Sequence, residues 1–224
     1  MAIETSGTTG SVAVFDGGQL LEARALDPSG RSARTLAPAL SAILKHVGWS
    51  PRQVQFVAVG IGPGSFTGLR LGVMTAKAFA YGAGAKVLGI GTPESIAARV
   101  TDLQIQVAVA IDAQRGEVYS GRFTIDVTGA VQRAGEIEII TTERWLASLD
   151  ESVLATGPAL VKLAERLTPA MRVAPREQWL PDAASVGRLA ALRAARGESD
   201  DLWSMAPCYL RRSAAEEKWE SRAT

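Results

Sequence analysis

The chain is short of the residues that most often build a metal or redox site: it has one cysteine, Cys208, and one histidine, His46, in 224 residues. A lone thiol excludes an internal disulfide and points to a reducing compartment, the cytoplasm. A lone imidazole excludes any site built on several histidines. An excess of charge is missing too. With 24 Lys and Arg against 23 Asp and Glu, the chain lacks the basic surplus of an autonomous nucleic-acid binder. No apolar run is long enough for a membrane. The longest uncharged stretch, residues 53–69, is interrupted by Gly62-Pro63-Gly64. No basic-then-apolar leader precedes the first strand pattern. What is present is a hydrophobic content of 47%, ample for one large or two small cores.

The most distinctive stretch is G-I-G-P-G-S-F-T-G-L-R-L-G-V-M-T-A-K-A-F-A at residues 60–80. The apolar run at residues 54–59 before it has strand composition. Gly60, Gly62, Pro63 and Gly64 then break periodicity, and Ser65 is a good N-cap for a helix running to about Tyr81. The turn fits neither the Walker spacing nor the G-x-S-x-G elbow. The dinucleotide fingerprint fails because its third glycine falls at Thr67 and not at Gly68. Two readings stay open: a turn whose amides meet an anion at a helix N-terminus, or a tight turn before a closely packed core helix. Along that helix Gly68, Gly72, Ala76 and Ala80 recur every four residues on one face, which predicts the close approach of another helix.

In chain order the pattern predicts strands at 2–4, 11–15 and 19–25, then a loop at 28–34. An amphipathic helix follows, with Leu36, Leu40, Ile43, Leu44 and Val47 on one stripe. The glycine-turn unit comes next, then a strand at 86–90 and a helix from Thr92 to near Val100. The second half predicts strands at 105–111, 117–125 and 131–140, a helix at 142–149 and a strand at 152–155. Gly157-Pro158 opens a further helix, 171–173 is a short strand, and 183–195 is a long helix. The tail at 207–212 reads as extended and partly buried, and 213–224 as a frayed charged helix. Each half thus runs strand, strand, strand, helix, strand, helix, strand, helix. Both first strands end in Ile-acid (Ile3-Glu4, Ile111-Asp112), and both fourth strands run into Gly-Pro. Internal duplication of this order implies two similar α/β lobes, 1–100 and 101–224, with the last segment packing back on the first lobe. It is the plan of the actin, hexokinase and heat-shock-chaperone ATPases, in duplicated ribonuclease-H-like lobes. In those proteins first-strand carboxylates hold a metal-nucleotide, so Glu4 and Asp112 are candidates for a vestigial nucleotide cleft. The alternative is a pair of solvated or capping acids.

The stretch A-V-G-I-G-P-G-S-F-T-G-L-R-L-G at residues 58–72 closely resembles the signature of the TsaB family, also called YeaZ. M-A-I-E-T-S at 1–6 resembles that family's opening strand, A-I-D-A-Q-R-G-E-V-Y at 110–119 its mid-chain motif, and P-C-Y-L-R at 207–211 its near-terminal motif. The resemblance covers the whole chain. It implies a non-catalytic scaffold subunit of the bacterial machinery that makes N6-threonylcarbamoyladenosine beside the anticodon of tRNAs reading codons that begin with A. The implied partners are the catalytic TsaD, a related duplicate carrying the metal site, and the ATPase TsaE. The implied contact with tRNA is indirect, there is no membrane partner, and a homodimer is expected when the chain is alone. An older label for the family is glycoprotease-like.

The resemblance also implies that partners meet through the helices at 33–47 and 65–81. That gives Leu36, Leu40, Gly68, Leu69, Gly72, Val73, Ala76 and Ala80 the role of an interface. The signature turn is Gly60, Gly62, Pro63, Gly64 and Ser65. No metal and no cofactor is expected on this chain, with nucleotide only at the complex. His46 reads as a helix-end or surface residue. Arg188, Arg193, Arg196, Arg211 and Arg212 leave an auxiliary tRNA role open against a plainly solvated face and tail. There are departures. Glu4 stands where the family has Asp, Ser32-Ala33-Arg34 stand where it has His-Ser-Glu, and the first strand is short enough to leave the true start open. The other class of function is an independent ATPase or phosphotransferase using the cleft.

Overall fold

The computed structural model describes residues 1–27 and 32–211. The expectations for the start of the 28–34 loop, for Arg212 and for a helix at 213–224 lie outside these residues. Two sheets carry the fold. The first contains β1 (Ala2–Glu4), β2 (Ser11–Asp16), β3 (Gln19–Ala25), β4 (Phe56–Gly62) and β5 (Lys86–Gly91), in the order β3-β2-β1-β4-β5. β1 and β2, and β2 and β3, pair antiparallel, whereas β1 with β4 and β4 with β5 are parallel. The second contains β6 (Ile105–Gln114), β7 (Glu117–Ile125), β8 (Val131–Arg133), β9 (Glu138–Thr141), β10 (Val153–Thr156) and β11 (Arg172–Val173). Its order β11-β10-β6-β7-β8, with β9 also on β7, repeats the first with β6 in the place of β1 and β10 in the place of β4.

The alternation of side chains explains how the first sheet is covered. Ile3, Val12, Val14, Val57, Val59 and Val87 face one side, where they pack with α1 (Ser32–His46) and α2 (Phe66–Ala83). The stripe Leu36, Leu40, Ile43 and Leu44 of α1 is buried there. The intervening positions on the central strands are small: Ala2, Ala13 and Ala58. On that side lies α6 (Ala183–Ala195), capped by Asp182, whose Oδ1 accepts the Ser185 amide at 2.7 Å. Alanines let a helix backbone approach, and Gly187 of α6 has the Phe15 ring where its Cβ would stand. A helix from the far end of the second half thus completes the first sheet's core.

Some boundaries differ from the sequence pattern. The expected strand at 131–140 is two strands, because Gly135 at φ +122° bends the chain and the Ala134 amide donates to Arg122 O between them. α3 (Thr92–Ala97) and α4 (Thr142–Ala147) stop two or more residues early. α5 (Leu160–Leu163) passes straight into a 3-10 turn at Ala164–Arg166. β4 starts at Phe56 and extends to Gly62, so the first glycines of the signature belong to the sheet. β6 likewise runs on to Gln114, with Gln114 and Arg115 both at positive φ in the hairpin to β7.

Candidate functional site: a glycine turn, a cleft and an outer helix face

β4 ends at Gly62 (φ +110°), the Gly62-Pro63 bond is cis, and Ser65 caps α2 by accepting the Gly68 amide at 3.3 Å. The glycines here make room for the chain's own first strand. A Cβ on Gly60 would lie 2.1 Å from Glu4 Oε2, and one on Gly64 would lie 2.7 Å from Ser6 O. One on Gly68 would lie 1.9 Å from Thr5 O, and one on Gly72 2.3 Å from Thr5 Oγ1. Thr5 Oγ1 donates to Gly68 O at 2.8 Å, and the Ser65 amide donates to Ser6 O at 2.8 Å. The end of β1 is therefore clamped against the turn and the first two turns of α2.

This corrects the interface expectation. Leu36, Leu40, Leu69, Gly72, Val73, Ala76 and Ala80 are buried in this chain, and half-buried Gly68 is covered by Thr5. Thr5 covers Gly68 and Gly72, and Ala76 and Ala80 lie in the core with α1, so the small-residue face is already filled within the chain. The spacing signalled a close approach but not by what. The same two helices do present another side. On α1, Ala37, Pro38, Ser41 and Ala42 are exposed, and on α2, Arg70, Met74, Ala78 and Tyr81. Met74 is 64% exposed and Tyr81 70%. Trp203, 73% exposed, meets the Tyr81 ring edge-on at 5.7 Å. The sequence pattern did not single out Trp203, because it lies in a segment without periodicity.

The two candidate carboxylates do not share a site. Glu4 is fully buried. Desolvation raises its pKa above the ordinary carboxylate value, opposed by hydrogen bonds from Ser6 and Thr5. The Ser6 amide donates to Oε1, while Oε2 is buried with no hydrogen-bond partner among the described residues. Asp112 is only half-buried. Desolvation would raise its pKa, but the Lys162 ammonium, the Gln114 amide at 2.9 Å and the Lys162 charge outweigh it, so the carboxyl is held below its usual value. The cleft between the sheets, about 680 Å³, is lined by Ser6, Gly64, Ser65 and Thr67 on one side and by Asp112 and Gln114 on the other. Glu4 lies beneath this surface and does not line it, which corrects the paired-carboxylate cleft. Tyr119 also lines it, its phenol pKa raised by burial.

Residues 208–211 run across the cleft and line it as well. The tail is less buried than its sequence suggests: Cys208, Tyr209 and Leu210 are exposed, and Met205 is the residue that enters the core. Several of the scattered arginines have partners. Arg193 bonds both oxygens of Glu94 at 2.7 Å, Arg196 pairs with Glu198, and Arg211 with Glu117. His46 is a surface residue facing Glu22 at 3.2 Å. Among the described residues no group of His, Cys, Asp and Glu comes together that could hold a metal ion. No helix among them is long and apolar enough to cross a membrane.

Residues 28–219 match the family described as "TsaD: tRNA N6-adenosine threonylcarbamoyltransferase". The chain is 27% identical over 189 residues to the tRNA threonylcarbamoyladenosine biosynthesis protein TsaB of Bacillus subtilis (strain 168), spanning 81% of this chain and 80% of that protein. It is 35% identical over 131 residues to the protein of the same name in Escherichia coli (strain K12), spanning 58% of this chain and 56% of that one. The solved structure of YeaZ from Pseudomonas aeruginosa superposes with a TM-score of 0.81 at 28% identity, covering 93% of this chain and 98% of that chain. The fold is that of the duplicated ribonuclease-H-like proteins.

Proposed function

The chain belongs to the tRNA N6-adenosine threonylcarbamoyltransferase (TsaD) family and, within it, to its TsaB (YeaZ) members, and from this premise we propose that it is a non-catalytic subunit that docks on TsaD. In this reading it works in the cytoplasm, TsaE joins the assembly, and tRNA is touched only through the complex. The two lobes divide near residue 100, and the first supplies the docking helices. The observation that carries the reading is the outward side of α1 and α2. α1 turns Ala37, Pro38, Ser41 and Ala42 outward, and α2, which packs against α1, turns Met74, Ala78 and Tyr81 outward, with Trp203 against Tyr81. Large exposed apolar residues on one element, here Met74 and Tyr81 of α2 with Trp203 against Tyr81, mark a protein-binding surface. Small residues next to them let a partner helix come close, so the pair completes a four-helix bundle with its counterpart. Supporting this, Glu4 is sealed under the turn and does not line the cleft, and Asp112 faces the Lys162 ammonium, so the two carboxylates do not converge on one metal-nucleotide.

The test is light scattering of the purified chain, alone and mixed with the TsaD homologue of the same organism. Expected is a one-to-one heterodimer mass that replaces a free monomer or homodimer. Ala78→Arg on the outward side is expected to abolish the shift while leaving the far-UV spectrum and melting temperature unchanged. A normal complex with Ala78→Arg moves the interface off this face. No complex at concentrations well above micromolar removes the proposed role.

A further inference from the structure

The segment following α6 is anchored several times on the first sheet before it crosses to the second. Asp200 bridges to Val87 of β5: its amide donates to Val87 O at 2.8 Å and its Oδ2 accepts the Gly89 amide at 2.7 Å. Lys77 of α2 donates to the carbonyls of Trp203 at 2.8 Å and Met205 at 3.0 Å. Met205 is buried in the core shared by α1 and α2. The Cys208 amide donates to Ile61 O of β4 at 2.7 Å. Arg70 Nε reaches Tyr209 Oη at 3.2 Å, and the Tyr209 ring packs on Phe66 with centroids 4.6 Å apart. Then the Arg211 guanidinium crosses to the second sheet, donating to Ala113 O at the end of β6 and to Glu117 at the start of β7.

The two sheets are joined a second time, by α3, whose Pro93 and Glu94 line a smaller cavity together with Cys208 and Leu210. This helix packs on β4 and β5 of one sheet and β6 and β7 of the other, and the ion pairs Glu94–Arg193 and Arg99–Asp182 tie α3 and its C-terminal flank to α6 and its cap. That side has the packed apolar surface of a hinge. The mouth, where residues 64–67 face 112–115, lies under residues 208–211. We propose that residues 200–211 are a latch that sets the width of the cleft mouth, with Arg211 as its releasable end. The first-sheet end stays fixed by β-bridge, buried Met205 and paired carbonyls. The second-sheet end depends on a charge-assisted side-chain contact that is only partly buried. Because α2 both grips the latch through Arg70 and Lys77 and offers Met74 and Tyr81 outward, a protein seated on that helix bears on the cleft through the same segment. That last step rests on the proposed docking face; the latch itself does not.

The test is hydrogen–deuterium exchange with mass spectrometry on the full chain without any partner, so its outcome is separate from that of the docking experiment. In Arg211→Ala, amides at 113–118 and 64–68 are expected to exchange about tenfold faster, the scale of losing one charge-assisted anchor. Amides of β2, β3 and α1 are expected to keep their rates, and Arg211→Lys is expected to fall between wild type and Arg211→Ala. Unchanged rates at the mouth overturn the latch. So does a uniform rise at every amide, which makes Arg211 a residue of global stability. If Arg211→Ala does not fold, Glu117→Gln serves: faster exchange at 113–118 and 64–68 alone supports the latch, and no change rejects it.

Discussion

Glu4 and Asp112 sit at matching places in the two halves, yet they finish in opposite surroundings. In the first half β4 reaches past β1. Gly60 sits against Glu4, and the turn at Gly62 (φ +110°) closes over it. In the second half β10 is shorter. Gly157 (φ +117°) meets Ala110, two residues before Asp112, so Asp112 projects beyond its turn and finds Lys162. Duplication preserved the strand order, but a shift in the level of the turn decided which acid is sealed and which is solvated. Equivalent positions in a duplicated fold therefore do not carry equivalent chemistry.

The largest expected effect is steric. Gly68→Ala drives a methyl group into Thr5 O and is expected to cost at least about 3 kcal/mol in urea unfolding. Gly72→Arg is expected to unfold the chain outright, since the space holds Thr5 Oγ1. Gly157→Ala sets the second turn beside these. It meets the Ala110 backbone at positive φ and is expected to cost about 3 kcal/mol. Gly62→Ala meets a Leu69 methyl and Cys208 O and is expected to cost less. Equal losses at the two positions would break the contrast between the turns.

The acids themselves come next. The folded-state pKa of Glu4 is raised, so the folded chain holds this proton more tightly than the unfolded chain. Its contribution to stability is then favourable at low pH and declines as pH rises above the unfolded value of 4.5 towards the folded one. Relative to Glu4→Gln, the wild type is expected to lose stability across that rise, read from denaturant midpoints at pH 5 and 8. Asp112 has the opposite sign. Its depressed pKa gives stability that is present above the unfolded value of 3.8 and lost as pH falls through the folded value. Asp112→Asn is expected to cost under about 1 kcal/mol at pH 7, because the pair with exposed Lys162 is screened by solvent. Slopes of the same sign for both acids would mean that their surroundings are alike. Smallest of all is Gly82→Ala on the open side of α2, where no atom of the described residues lies within 4 Å of the added methyl, which is expected to be neutral or to stabilise by up to about 1 kcal/mol.

The order of elements within each half, the amphipathic face of α1, the N-cap at Ser65 and the close contact at Gly68 and Gly72 were all legible in the chain. Each is dictated by local chemistry: side-chain alternation, helical period, a capping oxygen, a missing Cβ. The outward side of α2 was less legible, since the exposure of Met74 and Tyr81 is known only once the chain is folded. What the local pattern left open is which distant group answers each local signal. Glycines at a four-residue spacing announce an approach without naming the neighbour, and here the neighbour is Thr5, more than sixty residues away. An acid at a strand end announces a charge without its partner, and the level of β4 or β10 supplied burial to one and an ammonium to the other. A tail without periodicity announces nothing, yet Trp203, Met205 and Arg211 reach an outer helix face, a core and a cleft. Local propensity needs only near neighbours, whereas burial and electrostatics are set by groups that the folded chain alone brings together.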